Sequence, residues 1–243
     1  MKIEYIVIAK TIPEISKKDG REYSCTVGYS PELGFIRVYP VPPLTGFKRW
    51  HKYIIDVERN NRDTRTESWK LSSMTRTDNF IGLEKEIICI GIVNEDFIIS
   101  MFQKIVSPSI SKLNDEKKSI GVIKTNQLKP YWDVNKNFVN TSQFNMFEDV
   151  SCIETSLYTK DKYLKESRIS FNDLDGPHNL QLNDWEYYEF QRKFGAKKDA
   201  FRYIPKDKDN YILIGNMYQH RNIWIGLGVH ECKNKLLQTL QLF

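Results

Sequence analysis

The chain has 243 residues, with 36 Lys and Arg against 31 Asp and Glu, a net charge of +5, 40% hydrophobic and 13% aromatic residues. These proportions suit one large or two small folded domains and exclude a disordered tail. Apolar runs such as residues 87–93 fall far short of the roughly 20 residues that span a bilayer. Glu4 also interrupts what would be the apolar part of a signal peptide, so a cytoplasmic protein without membrane contact is expected.

In chain order, residues 2–10 alternate around an apolar run and predict a first strand. A polar stretch with an Asp-Gly pair at 19–20 turns the chain into a second strand, 23–29. The turn 30–34 leads to a third, 35–41, which Pro40, Pro42 and Pro43 are expected to end. Residues 53–59 and 86–93 read as further strands, and 121–130 as a last one leaving this unit. Short strands joined by Gly, Pro and Asp turns predict a β-rich, α+β protein. Its N-terminal domain, residues 1–130, is expected to be an OB-like or related small antiparallel barrel.

The Asn-rich segment 131–147 is the expected boundary, and residues 131–243 the smaller α+β unit. There Asn183 or Asp184 caps a helix running to Phe194 with Gly195 as its stop. Residues 211–215 and 223–229 predict two strands around a polar connection, and residues 233–243 a short closing helix.

Metal and cofactor chemistry finds little support. Cys25, Cys89, Cys152 and Cys232 show no paired spacing, so reduced, mostly buried thiols are expected, with neither a disulfide framework nor a zinc site. His230 and Cys232 alone stand at a spacing that one metal ion accepts. No phosphate-binding loop, dinucleotide fingerprint, nucleophile elbow or zinc-protease motif occurs, and no cofactor is expected. The acidic spot Asp173–Asp175–Gly176 reads as turn chemistry.

The charge becomes specific once located. Residues 37–76 hold nine basic and four acidic side chains, the whole chain's net +5, interleaved with Tyr39, Phe47, Trp50, Tyr53 and Trp69. Cations neutralise phosphates, and flat rings add stacking worth about 1–3 kcal/mol per base. Arg37, Tyr39, Lys48, Arg49, Trp50 and Lys52, extended by Arg59, Arg62 and Arg65, are therefore expected to line a surface for single-stranded nucleic acid. Arg221 joins them from the second unit. A salt-bridged loop around 62–67 is the structural alternative. Asp184, Glu186 and His220, with His178 nearby in sequence, form the candidate catalytic set of a nuclease. Helix-dipole stabilisation explains the two carboxylates equally well. A scaffold docking a partner protein through residues 131–243 is the third class.

The patterns Lys10, Cys25-Thr26-Val27-Gly28 and Gly34-Phe35-Ile36-Arg37-Val38-Tyr39-Pro40 resemble an uncharacterised bacterial family. Ser119–Lys124, Asp184-Trp185-Glu186, Gly215-Asn216, His220 and Trp224-Ile225-Gly226 continue the likeness. The opening is also similar to dual OB-fold domain proteins of nucleic-acid-centred conflict systems. The resemblance implies nucleic-acid handling in defence against mobile elements and assigns no reaction. Thr125 stands where a proline often follows the lysine, and the cysteines of some relatives are missing before Asp184, so no metal is expected.

Overall fold

The computed structural model describes residues 1–16, 19–43, 45–72, 87–138, 159–194 and 209–231. It is strand-rich, 52% strand and 16% helix, with a closed five-stranded barrel in its N-terminal region. The barrel comprises β1 (Lys2–Lys10), β3 (Glu22–Ser30), β4 (Gly34–Val41), β5 (His51–Arg59) and β6 (Ser68–Leu71), with β2 (Glu14–Ile15) paired to β3. β1 lies antiparallel to both β3 and β5, β3 to β4, and β5 to β6. The ring closes through a parallel pairing of β4 with β6, so the barrel is not wholly antiparallel.

Period-two alternation fills it. Ile3, Tyr5 and Val7 of β1, Ile36 and Val38 of β4, and Tyr53, Ile55 and Val57 of β5 point inward around Phe47. Each such burial contributes about 1.5–3 kcal/mol. Pro40 does not end the third strand. The register slips between Ser24 and Thr26 of β3, opposite Val41 and Val38, and this bulge admits a residue without an amide donor.

β7 (Ile88–Ile92) extends β5, and all five of its residues are exposed, Cys89 among them, so this thiol is not buried as expected. α1 (Glu95–Ile105) follows, capped by the Asn94 side chain. No helix is expected here from the sequence, although Ile98, Met101, Phe102 and Ile105 stand at helical spacing. After β8 (Val106–Ser107), α2 (Ile110–Asp115) starts at Ser109, whose side chain accepts from Lys112 N.

β9 (Ile120–Thr125) does not join the barrel. It pairs with β8 and with β13 (Asn210–Asn216), which pairs with β14 (Trp224–Glu231). Residues on both sides of position 130 thus share one four-stranded sheet. β10 (Lys129–Val134), β11 (Lys165–Asp173) and β12 (Gly176–Gln181) form a third sheet, followed by α3 (Trp185–Phe194). The Asp173–Asp175–Gly176 spot is the β11–β12 turn, and its carboxylates accept from Ile110 N and Ser111 N at the start of α2.

The middle sheet is buried on both faces. Tyr211 and Leu213 face the barrel's Ile8, Ala9 and Val27 together with Phe102, whereas Ile212 and Ile214 face Ile169, Phe171 and Leu182. Cys152, Cys232, the Gly195 stop, most of the 131–147 boundary and the closing helix at 233–243 lie outside the described residues.

Candidate nucleic-acid interface

The basic window divides into three groups of different burial. Arg37 is buried, at 5% exposure, where β4 faces the middle sheet. Its guanidinium donates to Ser119 O, to Ser119 Oγ at 3.3 Å and to Asn216 O at 3.2 Å. Burial pushes its pKa down to about 10. Arg65, also buried, donates to the same Asn216 carbonyl at 2.7 Å and through Nε to both Asp63 oxygens at 2.9 Å. Glu67 accepts from Ser119 N and Oγ at 3.1 and 2.8 Å. Against the effect of burial, the Ser119 bonds hold its carboxyl below the usual range. A Cβ at Gly215 would lie 2.8 Å from Leu227 Cδ1 and 3.2 Å from Arg37 Nη2, so a larger residue there would push on the Leu227 and Arg37 side chains. Arg37, Arg65 and Glu67 therefore clasp the barrel to β9 and β13 and present no cationic surface.

Arg49 is less deeply placed, with 13% of its side chain exposed. It pairs with Asp184 and, at 3.2 Å, with Glu186. Burial opposes its charge, but these carboxylates outweigh burial and raise its pKa. Asp184 is fully buried and caps α3 by accepting from Glu186 N at 3.1 Å. Burial pushes its carboxyl up to about 6, while Arg49 holds it down. Beside the pair, Trp50 packs on His230 with ring centroids 4.9 Å apart, and Phe102 lies equally near on the other side. His230, 6% exposed, has no hydrogen-bond partner at Nε2, and burial lowers its pKa well below the ordinary value. A Cβ on Gly228 would lie 3.2 Å from that nitrogen and 3.4 Å from Asp184 Oδ2. The histidine brought to the buried carboxylate is thus His230. No contact joins His220 to Asp184 or Glu186 among the described residues, and His178 pairs instead with Asp173 at 2.8 Å. No group of three metal-ligating side chains occurs among the described residues.

The remaining cations named above are exposed or half-buried. Lys52 pairs with Glu4 of the neighbouring β1 at 2.9 Å, and Lys48 is exposed just before β5. Tyr39 sits edge-on to Tyr23, with ring centroids 6.3 Å apart. The third group gathers at one rim. Arg59 lies 4.5 Å over the Trp69 ring and donates to Thr66 O. Arg62 is exposed on the same β5–β6 loop. Arg221 reaches across from the β13–β14 hairpin, donates to Thr64 Oγ1 at 2.8 Å and stands 3.9 Å from Asp63 Oδ1. Between the hairpin and the loop stands Tyr218, 47% exposed, with Arg65 and Arg221 at 5.8 and 5.6 Å from its ring centroid. His220 is exposed in the same hairpin. Tyr218 was missed by a reading that counted aromatics only inside the basic window.

Residues 1–87 match a family model, Domain of unknown function (DUF8758). The matched span contains all five barrel strands. No curated protein matches the chain. Several residues named in the sequence meet in the structure: Arg37 donates to Ser119 and Asn216, Asp184 pairs with Arg49, and Lys10 lies 4.4 Å over the Trp185 ring.

Proposed function

We propose that the chain binds single-stranded nucleic acid along the rim made by the β5–β6 loop and the β13–β14 hairpin. The carrying observation is Tyr218, an exposed ring flanked by guanidinium groups, with Arg59 on Trp69 and Arg62 on the same rim. Cations able to follow a backbone, set among rings able to stack bases, are the two components of sequence-tolerant strand binding.

The barrel topology supports this reading. A five-stranded ring whose third and fifth strands run parallel is OB-like, and OB-folds bind oligonucleotides through the face of the second and third strands and the adjoining loops. Here that face, on β3 and β4, is partly covered: Cys25 and Val27 pack against the middle layer and Arg37 is clasped, while Tyr29 and Phe35 at its end stay half-buried. The loop between the fourth and fifth strands, residues 60–67, stays at the surface and gains Arg221 and Tyr218 from the hairpin. A role in defence against mobile elements follows from the family resemblance. The test is anisotropy of a labelled single strand over a salt series. Affinity should fall steeply with salt, and Arg62→Glu with Arg221→Glu should weaken it about tenfold or more. A flat salt response, or unchanged binding in the double variant, overturns the proposal.

A further inference from the structure

Beyond the partly covered barrel face, the molecule opens a groove of about 650 Å³ between the β3–β4 end of the barrel, α1 and α2. That volume lies within the roughly 300–1,000 Å³ typical of ligand sites. Its two halves differ in chemistry. On the barrel side Tyr29 and Phe35 meet edge to face at 5.3 Å, and Phe35 stacks on Phe102 at 6.4 Å, which fixes the ring from behind. Met101 of α1 adds an adaptable thioether. On the helical side Lys104, Lys112 and Lys118 bring three exposed ammonium groups to the same groove.

Two carboxylates also line the groove: Glu67 is held by Ser119 and Thr66, and Glu116 pairs with Lys112 at 4.0 Å, so Lys104 and Lys118 are its cations without a carboxylate partner among the described residues. The groove thus joins a ring-lined wall to a cationic lip. A wholly apolar ligand would leave the lysines unmatched, and a bare inorganic anion would leave the rings idle. We propose that this groove binds a nucleoside phosphate, its base against Tyr29 and Phe35 and its phosphate on Lys104, Lys112 and Lys118. The ligand is either a free nucleotide or the phosphorylated end of a strand. The site is independent of the rim proposed above, since it shares no cation with it.

The test titrates mant-ATP into the full chain and follows anisotropy, beside two single strands of one sequence that carry a 5′-phosphate or a 5′-hydroxyl. Saturable mant-ATP binding, weakened about tenfold by Lys104→Glu and again by Lys118→Glu, is expected. Both lysines are exposed, so these variants keep the fold, checked by an unchanged thermal midpoint. Arg62→Glu with Arg221→Glu should leave mant-ATP binding as it was, whatever happens to strand binding. A lysine-dependent preference for the 5′-phosphorylated strand identifies strand ends as a source of the ligand, and equal affinity for both strands leaves free nucleotides. No saturable binding of mant-ATP or of the 5′-phosphate, or binding indifferent to both lysines, overturns the proposal.

Discussion

Two regions of the molecule draw arginines from the same stretch of sequence and use them in opposite ways. At the junction of barrel and middle sheet, Arg37 and Arg65 are buried, Arg49 is mostly so, and each is met by carbonyls or carboxylates. At the rim, Arg59, Arg62 and Arg221 keep contact with water, and among the described residues only Arg221 of the three nears a carboxylate, Asp63 at 3.9 Å. A buried guanidinium without partners would cost several kcal/mol, so the first group is read by counting its acceptors. An exposed one costs little and remains free to meet a phosphate. Net charge along a sequence therefore measures a binding surface only after the buried cations are subtracted.

The sharpest way to break the comparison is at Asp184. Asp184→Ala leaves Arg49 mostly buried with only the exposed Glu186 for a partner. Removing one member of a buried pair costs about 3–5 kcal/mol, so the urea midpoint should fall substantially. Arg62→Glu should move the same midpoint hardly at all. Equal losses in the two variants would mean that the junction and the rim do not differ as described.

Much of the architecture was legible, for identifiable reasons. The barrel strands announce themselves because one face of each is buried and period two survives, as in Ile3, Tyr5 and Val7. The Asp184 cap and the β13–β14 hairpin were equally readable, since capping and turn chemistry are local. The partner of β9 was not, because its choice of β13 depends on residues about ninety positions away. Nor was the fate of each arginine. Arg37 alternates outward on β4 like a solvent-facing residue, and only the arrival of Ser119 and Asn216 turns outward into buried. The rim was half legible: the loop cations were named, while Tyr218 lay beyond the window that supplied them.

A second distinction is pH. His230 is buried and neutral between Trp50 and Phe102, with Arg49, Asp184 and the Gly228 backbone beside it. Its folded pKa lies below the ordinary value of 6.5. The unfolded chain therefore takes up a proton that the folded chain refuses, and stability present above about pH 6.5 declines by about 1.4 kcal/mol per pH unit below it. Asp184 works in the opposite sense, because its raised carboxyl binds a proton more readily when folded. The measurement is thus a difference: wild type should lose ground to His230→Phe as pH falls from 7 towards 5. Parallel pH profiles would remove His230 as the titrating group. No rim residue should alter this profile.

The smallest expected effect separates the rim from the rest of the exposed cations. Lys52 belongs to the same basic window, yet it is paired with Glu4 of the neighbouring β1 at 2.9 Å across an antiparallel register. Such half-exposed pairs contribute about 0–1 kcal/mol, so Lys52→Met should shift the urea midpoint only slightly. If binding depended on overall positive charge, removing this lysine would weaken strand affinity and flatten its salt dependence as much as removing Arg62. If the rim is the interface, Lys52→Met leaves both the affinity and the slope unchanged while Arg62→Met lowers both. The two substitutions change net charge equally, so any gap between them measures location alone.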